Sequence, residues 1–116
     1  MSDVETLLRR NITHVFGERD PAARRAVIAE IFAEDCVFNA PDGLHHGRDA
    51  VDAAVAALHA RLPGFVFTDG AARILEGAGM IEWTFGPLDD PERIAGTDVA
   101  LCRDNQIADL MVFLKS

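Results

Sequence analysis

Several reactive side chains are scarce or missing in this sequence. The chain has no tyrosine and two cysteines, and its serines are Ser2 and Ser116. No phenol can therefore move a proton, and the serine inventory excludes a serine triad. Two cysteines are too few for a disulfide scaffold, and no feature places a histidine beside Cys36 or Cys102. We predict that both cysteines are packing residues.

Basic side chains are also in short supply. Lys and Arg number 11 against 19 Asp and Glu, which leaves a formal net charge of −8 and a pI near 4.8. This charge repels phosphate backbones and anionic lipid surfaces, and the basic residues form no stripe that would offset the repulsion. We therefore expect neither a nucleic acid nor a membrane as a partner.

Long apolar runs are missing as well. No stretch reaches the length of a membrane span, and the first residues are acidic where a signal peptide would be basic. The sequence therefore predicts a cytoplasmic protein with reduced cysteines. The composition is that of a globular protein, with 49% hydrophobic and 26% charged residues among 116, and this length predicts one domain over residues 1–116.

The first half of the chain has the periodicity of helices. Apolar residues recur at three- and four-residue intervals over residues 4–16. Asp20 followed by Pro21 predicts the start of a second helix, because the carboxylate can cap it and proline suits its first turn. A third helix is predicted from near Asp49 to the break at residues 63–64.

The strand patterns follow a different order. A short strand is predicted at residues 36–40, between the second and third helices, and four more at 65–75, 80–85, 94–103 and 107–114. Because short connections join the last four strands, they should be antiparallel neighbours. The sequence thus predicts an α+β fold with three N-terminal helices packed on a curved, mostly antiparallel sheet.

This order of elements resembles the nuclear transport factor 2-like superfamily, in particular its SnoaL-like domains, which are related to polyketide cyclases and ketosteroid isomerases. The resemblance spans nearly the whole chain. The segments that carry it are residues 31–38 (IFAEDCVF), 41–43 with 47–51 (PDG and GRDAV), and 96–99 with 104–107 (GTDV and DNQI).

The resemblance implies a cone-like barrel with an apolar cavity, and a homodimer formed through the outer face of the sheet. It places Asp98 where ketosteroid isomerases have the aspartic acid of their oxyanion hole and SnoaL-like cyclases a general acid/base. The position of the isomerase's tyrosine is occupied by Asn11, and that of its base aspartate by Ala40. These two departures make SnoaL-like a better description of the chain than ketosteroid isomerase.

Alternation along residues 94–103 leaves two orientations open for Asp98. If Gly96 and Ala100 share its face inside the fold, they leave space for a ligand; if Val99 and Leu101 are core, Asp98 is solvated. On the first orientation, an apolar surrounding would raise the pKa of Asp98 towards neutrality. Asp98 is therefore the candidate catalytic residue.

Ligand-binding candidates come from three places in the chain. Asn11 and His14 lie on the first helix, where they could share the cavity or be surface groups. Asn39 lies near the exit of the first predicted strand, and His45 lies in the link to the third helix, near the expected mouth. Two aromatic residues, Phe38 and Trp83, are candidates for the pocket wall. Aromatic side chains in strands more often pack in the core.

The candidate site calls for no metal and no cofactor. His45 and His46 are adjacent in an extended segment, so their side chains should point in opposite directions and cannot easily bind one ion. Two functions remain open on the sequence. One is cofactor-free acid/base chemistry on a small apolar ligand with Asp98 as proton carrier, and the other is a non-catalytic module of the same fold that binds a ligand or dimerises.

Overall fold

The computed structural model describes residues 3–115, so Ser2 and Ser116 lie outside the described residues. The helical bounds are α1 (Asp3–Arg10), a π-helical turn (Asn11–Phe16), α2 (Pro21–Ile31) and α3 (Arg48–Arg61). The strands are β1 (Phe32–Ala40), β2 (Gly43–His46), β3 (Val66–Leu75), β4 (Ala78–Gly86), β5 (Ile94–Arg103) and β6 (Gln106–Leu114). No described helix has the length and apolar character needed to cross a membrane.

All six strands form one sheet in the order β2-β1-β6-β5-β4-β3. Every neighbouring pair is antiparallel except β1 with β6, which is parallel and is joined by a long stretch of chain that includes α3 and four other strands. Register shifts in three of these pairs bend the sheet. The predicted α+β fold, with three helices on a curved, mostly antiparallel sheet, is confirmed.

The helices begin and end for the reasons that the sequence indicated. The Asp20 carboxylate accepts a hydrogen bond from the Ala23 amide at 3.1 Å, so it caps α2 with Pro21 in the first turn. The Arg24 side chain is buried and donates to Asp52 at 2.6 Å, which ties α2 to α3. Helices and sheet share a core whose fully buried members include Leu8, Ile12, Ile28, Ile31, Phe32, Val51, Val55, Ile107 and Leu110.

Three sequence predictions about elements were wrong in detail. The helix expected over residues 4–16 is α-helical only to Arg10, after which a π-helical turn follows, with the Gly17 amide donating to Ile12 O at 2.8 Å. The first strand begins at Phe32 rather than residue 36. The link that contains His45 is strand β2, which the sequence pattern did not reveal because it is only four residues long.

Candidate active site

An apolar cavity of about 420 Å³ lies between the helices and the inner face of the sheet. Its helical wall includes Ala53, Ala54 and Ala57 of α3, whose short side chains leave space that larger ones would fill. The opposite wall is formed by side chains from five strands. These strand residues are Phe38, Ala40, Phe67, Trp83, Phe85, Ile94, Asp98, Val112 and Leu114.

Strand β5 directs Asp98 into the protein. Gly96, Asp98 and Ala100 are buried, whereas Leu101 on the alternate face is exposed. The Asp98 side chain lines the cavity, and the residue is only 5% exposed. The alternation of residues along this strand left two orientations open for Asp98, and in the structure its side chain faces inward.

The indole of Trp83 is the closest partner of the Asp98 carboxyl. Trp83 Nε1 donates to Asp98 Oδ1 at 2.7 Å within the buried interior. The two residues are diagonal neighbours on β4 and β5, because Trp83 pairs with Gly96 and Asp98 pairs with Ile81. The indole therefore reaches across Gly96 to contact the carboxyl.

Gly96 is needed for this contact. A Cβ atom at this position would collide with the indole ring of Trp83 and would lie 2.8 Å from the Phe113 carbonyl oxygen. The sequence suggested that the small side chain of Gly96 leaves room for a ligand beside Asp98. That suggestion was wrong, since the Trp83 ring occupies the space.

Asn11 contacts the other oxygen of the carboxyl. Its Nδ2 donates to Asp98 Oδ2 at 3.5 Å, and the residue is fully buried at the first position of the π-helical turn. Its Oδ1 is the one buried side-chain polar atom without a hydrogen-bond partner among residues 3–115. An amide can rotate to exchange its donor for its acceptor, so Asn11 can pair with Asp98 in either protonation state.

Burial controls the acidity of Asp98. Loss of hydration raises the pKa of this carboxyl from 3.8 to about 7, and the hydrogen bonds from Trp83 and then Asn11 limit the rise. Both donors favour the carboxylate, but they do not offset the desolvation of the charged form. Asp98 can therefore gain or lose a proton near neutral pH.

The mouth of the cavity is polar. Asp42, His45 and Arg61 line it, and His45 Nε2 lies 3.0 Å from Asp42 Oδ1. The imidazole also stacks on Phe38 of the neighbouring strand, with ring centroids 5.4 Å apart. The hydrogen bond with His45 is the main reason why the pKa of Asp42 is held below its ordinary value. A cavity with one titratable carboxyl inside and a charged rim outside is suited to a small ligand.

Comparison with known proteins agrees with this architecture. The family model described as a SnoaL-like domain matches residues 8–110. This protein belongs to the SnoaL-like domain family. No curated protein sequence matches the chain.

Solved structures share the SnoaL-like fold over the whole chain. A candidate isomerase of the SnoaL-like family from Agrobacterium tumefaciens superposes with a TM-score of 0.91 at 21% identity, covering 100% of both chains. A candidate polyketide cyclase from Sinorhizobium meliloti gives 0.75 at 15% identity, covering 97% of this chain and 99% of that one. A candidate ketosteroid isomerase from Kribbella flavida gives 0.76 at 16% identity, covering 98% and 78%. At these identities the likeness concerns the fold.

Three of the predicted ligand-binding residues, Asn11, His14 and Asn39, do not line the cavity of this SnoaL-like domain. His14 is exposed, because the wider π-helical turn carries it away from the face that holds Asn11. Asn39 is exposed as well, since strand alternation sends it to the face opposite Phe38. The expectation that these two residues share the cavity was wrong.

The other three predicted residues lie in the cavity wall as expected, but the expectation that Asn11 shares the cavity was also wrong. Phe38, His45 and Trp83 line the cavity, whereas Asn11 is one layer behind it and reaches the cavity only through Asp98. His45 points inward and His46 is exposed, as the alternation of an extended segment requires.

Sequence reasoning missed the bond between Trp83 and Asp98 and the rim residues Asp42 and Arg61. The bond depends on the register of β4 against β5, which are joined by a loop of seven residues that sets no fixed register. A signal for Arg61 did exist, since it follows Ala54, Ala57 and Leu58 at helical spacing.

Proposed function

We propose that this protein is a cofactor-free acid/base enzyme that acts on a small, largely apolar molecule, with Asp98 as its proton carrier. The observation that carries the proposal is a buried carboxyl with a pKa of about 7 in the wall of an apolar cavity. A group with a pKa near the working pH is the most effective general acid or base, because both of its protonation states are populated.

Trp83 and Asn11 support this role. When Asp98 gives its proton to a ligand, a carboxylate forms in a dry site, and the two N–H groups already point at its oxygens. When Asp98 is protonated, rotation of the Asn11 amide offers Oδ1 as an acceptor for the acid proton. Neither protonation state then leaves the carboxyl without partners.

The reaction class follows from having one proton carrier. Isomerisation, cyclisation and hydration each move a proton between the ligand and one enzyme group, and solved structures of similar fold are named as candidate isomerases and cyclases. A ketosteroid isomerisation is disfavoured, because Asn11 and Ala40 replace the phenol and the second carboxylate. Phe38, His45 and Trp83 would contact the ligand from the cavity wall.

The proposal is tested by proton exchange. Wild-type protein is incubated in D2O with a panel of cyclic ketones and β-keto esters, and deuterium uptake is followed by mass spectrometry. We expect Asp98→Asn to slow exchange of a responsive compound by about 10²-fold or more. The control Asp109→Asn alters an aspartate on the opposite face of β6 from Leu110, and it should exchange like wild type.

Binding is measured on the same proteins through Trp83, the single tryptophan of the chain. A compound that is bound by wild type and Asp98→Asn alike, yet exchanged by neither, would favour the non-catalytic ligand-binding module instead. Exchange that persists in Asp98→Asn would show that another group carries the proton.

We further propose that two copies pair through the outer face of the sheet. Exposed apolar side chains there include Met80, Leu101 and Phe113, the last 59% exposed, and burying such a patch is favourable. Light scattering should report a dimer for wild type and a monomer for Phe113→Glu. Leu88→Glu, which alters a 90% exposed residue in the loop after β4, is the matched control and should remain dimeric.

A further inference from the structure

The mouth of the cavity holds a basic side chain that has no ion-pair partner. Arg61 is the last residue of α3, lines the cavity and is exposed. Within residues 3–115, Arg61 and Arg73 are the basic side chains that make neither a hydrogen bond nor an ion pair; the others bind acids or carbonyl oxygens. In a chain with so many acidic residues, an unpaired arginine at a cavity mouth is available for a ligand.

The position of Arg61 continues the apolar wall. Ala54, Ala57 and Leu58 precede it by seven, four and three residues, so all four lie on the same face of α3. The same three residues line the cavity. A ligand lying along this face would have apolar contacts over its body and a guanidinium at its outer end.

The neighbouring acid does not neutralise Arg61. The hydrogen bond with His45 comes first among the influences that lower the pKa of Asp42, and the positive charge of Arg61 adds to it from beyond ion-pair distance. Asp42 is thus engaged with His45, and the five N–H donors of the Arg61 guanidinium stay free for an oxygen ligand.

The inner end of the cavity excludes an anionic group. There Asp98 is surrounded by apolar residues, so an anionic group would lose its hydration, and whenever Asp98 is ionised it would also be repelled by the carboxylate. A charged ligand must therefore keep its anionic end at the mouth.

We infer that the ligand is amphipathic, with an apolar body inside the cavity and a carboxylate that binds Arg61 at the mouth. This inference rests on the proposed function in so far as the cavity must bind a ligand, and it names the class of that ligand. A bidentate pair between guanidinium and carboxylate would fix the ligand's direction, so that its far end is presented to Asp98.

The test compares octanoate with 1-octanol, two probes of equal chain length that do not absorb the light used to excite tryptophan. Binding is followed by Trp83 fluorescence and by calorimetry at pH 6, where octanoate is ionised. We expect Arg61→Leu to weaken octanoate binding about tenfold and to leave 1-octanol within about twofold of wild type. Arg61→Lys should recover part of the loss.

Arg73→Leu is the matched control, since Arg73 is also unpaired but does not line the cavity. It should bind both probes as wild type does. The inference is overturned if Arg61→Leu keeps its affinity for octanoate, or if Arg73→Leu loses as much. In both cases, binding of 1-octanol would still support a cavity that binds apolar ligands. If neither probe bound, both the proposed ligand-binding role of the cavity and this inference would be overturned.

Discussion

Two aspartates of one cavity differ in almost every physical respect. Asp98 at the inner end is 5% exposed, and its pKa is raised to about 7. Asp42 at the mouth is exposed, and its pKa is lowered. Each accepts a hydrogen bond from an aromatic ring nitrogen, from Trp83 at 2.7 Å or His45 at 3.0 Å. The hydrogen bond is similar, so the opposite shifts come from burial.

Burial decides which of the two carboxyls stays protonated towards neutral pH. At the mouth, water solvates the carboxylate and the partner only adds to its stability. Inside the cavity, the cost of desolvating the charge exceeds what two N–H donors return, so the acid form persists to neutral pH.

The largest effect is expected from Asp98→Asn on the pH dependence of stability. The folded pKa lies above the unfolded value, so wild type loses stability as pH rises from about 4 to about 7, on the order of 4 kcal/mol. The variant has no such proton to lose. In urea unfolding from pH 4 to 8.5, the free energy of unfolding of the variant should rise relative to that of wild type by that amount. The control Asp109→Asn should have the same pH dependence as wild type. Parallel curves for Asp98→Asn and wild type would mean that Asp98 has an ordinary pKa.

Trp83→Phe should cost about 3 kcal/mol at pH 9 and less at pH 5. The substitution removes the donor to a buried carboxylate, which is worth roughly 1.5–3 kcal/mol, and leaves a small void. At low pH the acid form of Asp98 depends less on this donor. Circular dichroism must follow the unfolding, because the variant has no tryptophan. An equal loss at both pH values would indicate packing alone.

Gly96→Ala should destabilise the protein by about 2 kcal/mol, because the new methyl group meets the Trp83 ring and the Phe113 carbonyl. The indole would then move from Asp98, and its N–H resonance in the proton NMR spectrum should shift. Thr97→Ala alters the other face of β5 and should leave that resonance in place. A variant as stable as wild type would show that the strand accommodates a side chain there.

Asn11→Leu is expected to lower stability at both ends of the pH range. At pH 5 the rotated amide accepts the proton of the Asp98 acid, so the variant leaves a buried O–H donor without this partner and should lose about 1 kcal/mol. At pH 9 it removes a donor to the carboxylate and should lower stability by about 1 kcal/mol, since the bond is long at 3.5 Å. Chemical denaturation at the two pH values measures both losses, and an unchanged or raised stability at pH 5 would contradict the rotation of the amide.

The smallest effect is expected at the mouth. Asp42→Asn removes a solvent-exposed pair with His45, and such pairs contribute no more than about 0.5 kcal/mol at moderate salt. Thermal unfolding should show a small loss at low salt that shrinks further at high salt, because salt screens an exposed pair. A loss comparable to that of Trp83→Phe would mean that the rim is more desolvated than its exposure indicates.

Much of the fold was predictable because its signals are local. Helical spacing, the cap at Asp20 and the break at residues 63–64 are properties of short segments, and the structure has the cap and ends α3 just before the break, at Arg61. Strand β2 and the π-helical turn were not predicted. A four-residue strand carries too little pattern, and the apolar spacing of residues 4–16 contains no separate signal for a change of helical pitch.

By itself the sequence determined the α+β order of elements, the family resemblance and the choice of Asp98 as the residue to watch. Only the tertiary structure decided that Asp98 faces inward, that Trp83 and Asn11 hold its two oxygens, and that His14 and Asn39 lie outside the cavity. The physical reason is that these contacts join residues 15 and 87 positions apart in the chain. Strand register and sheet curvature set such distances, and neither is encoded in a local pattern.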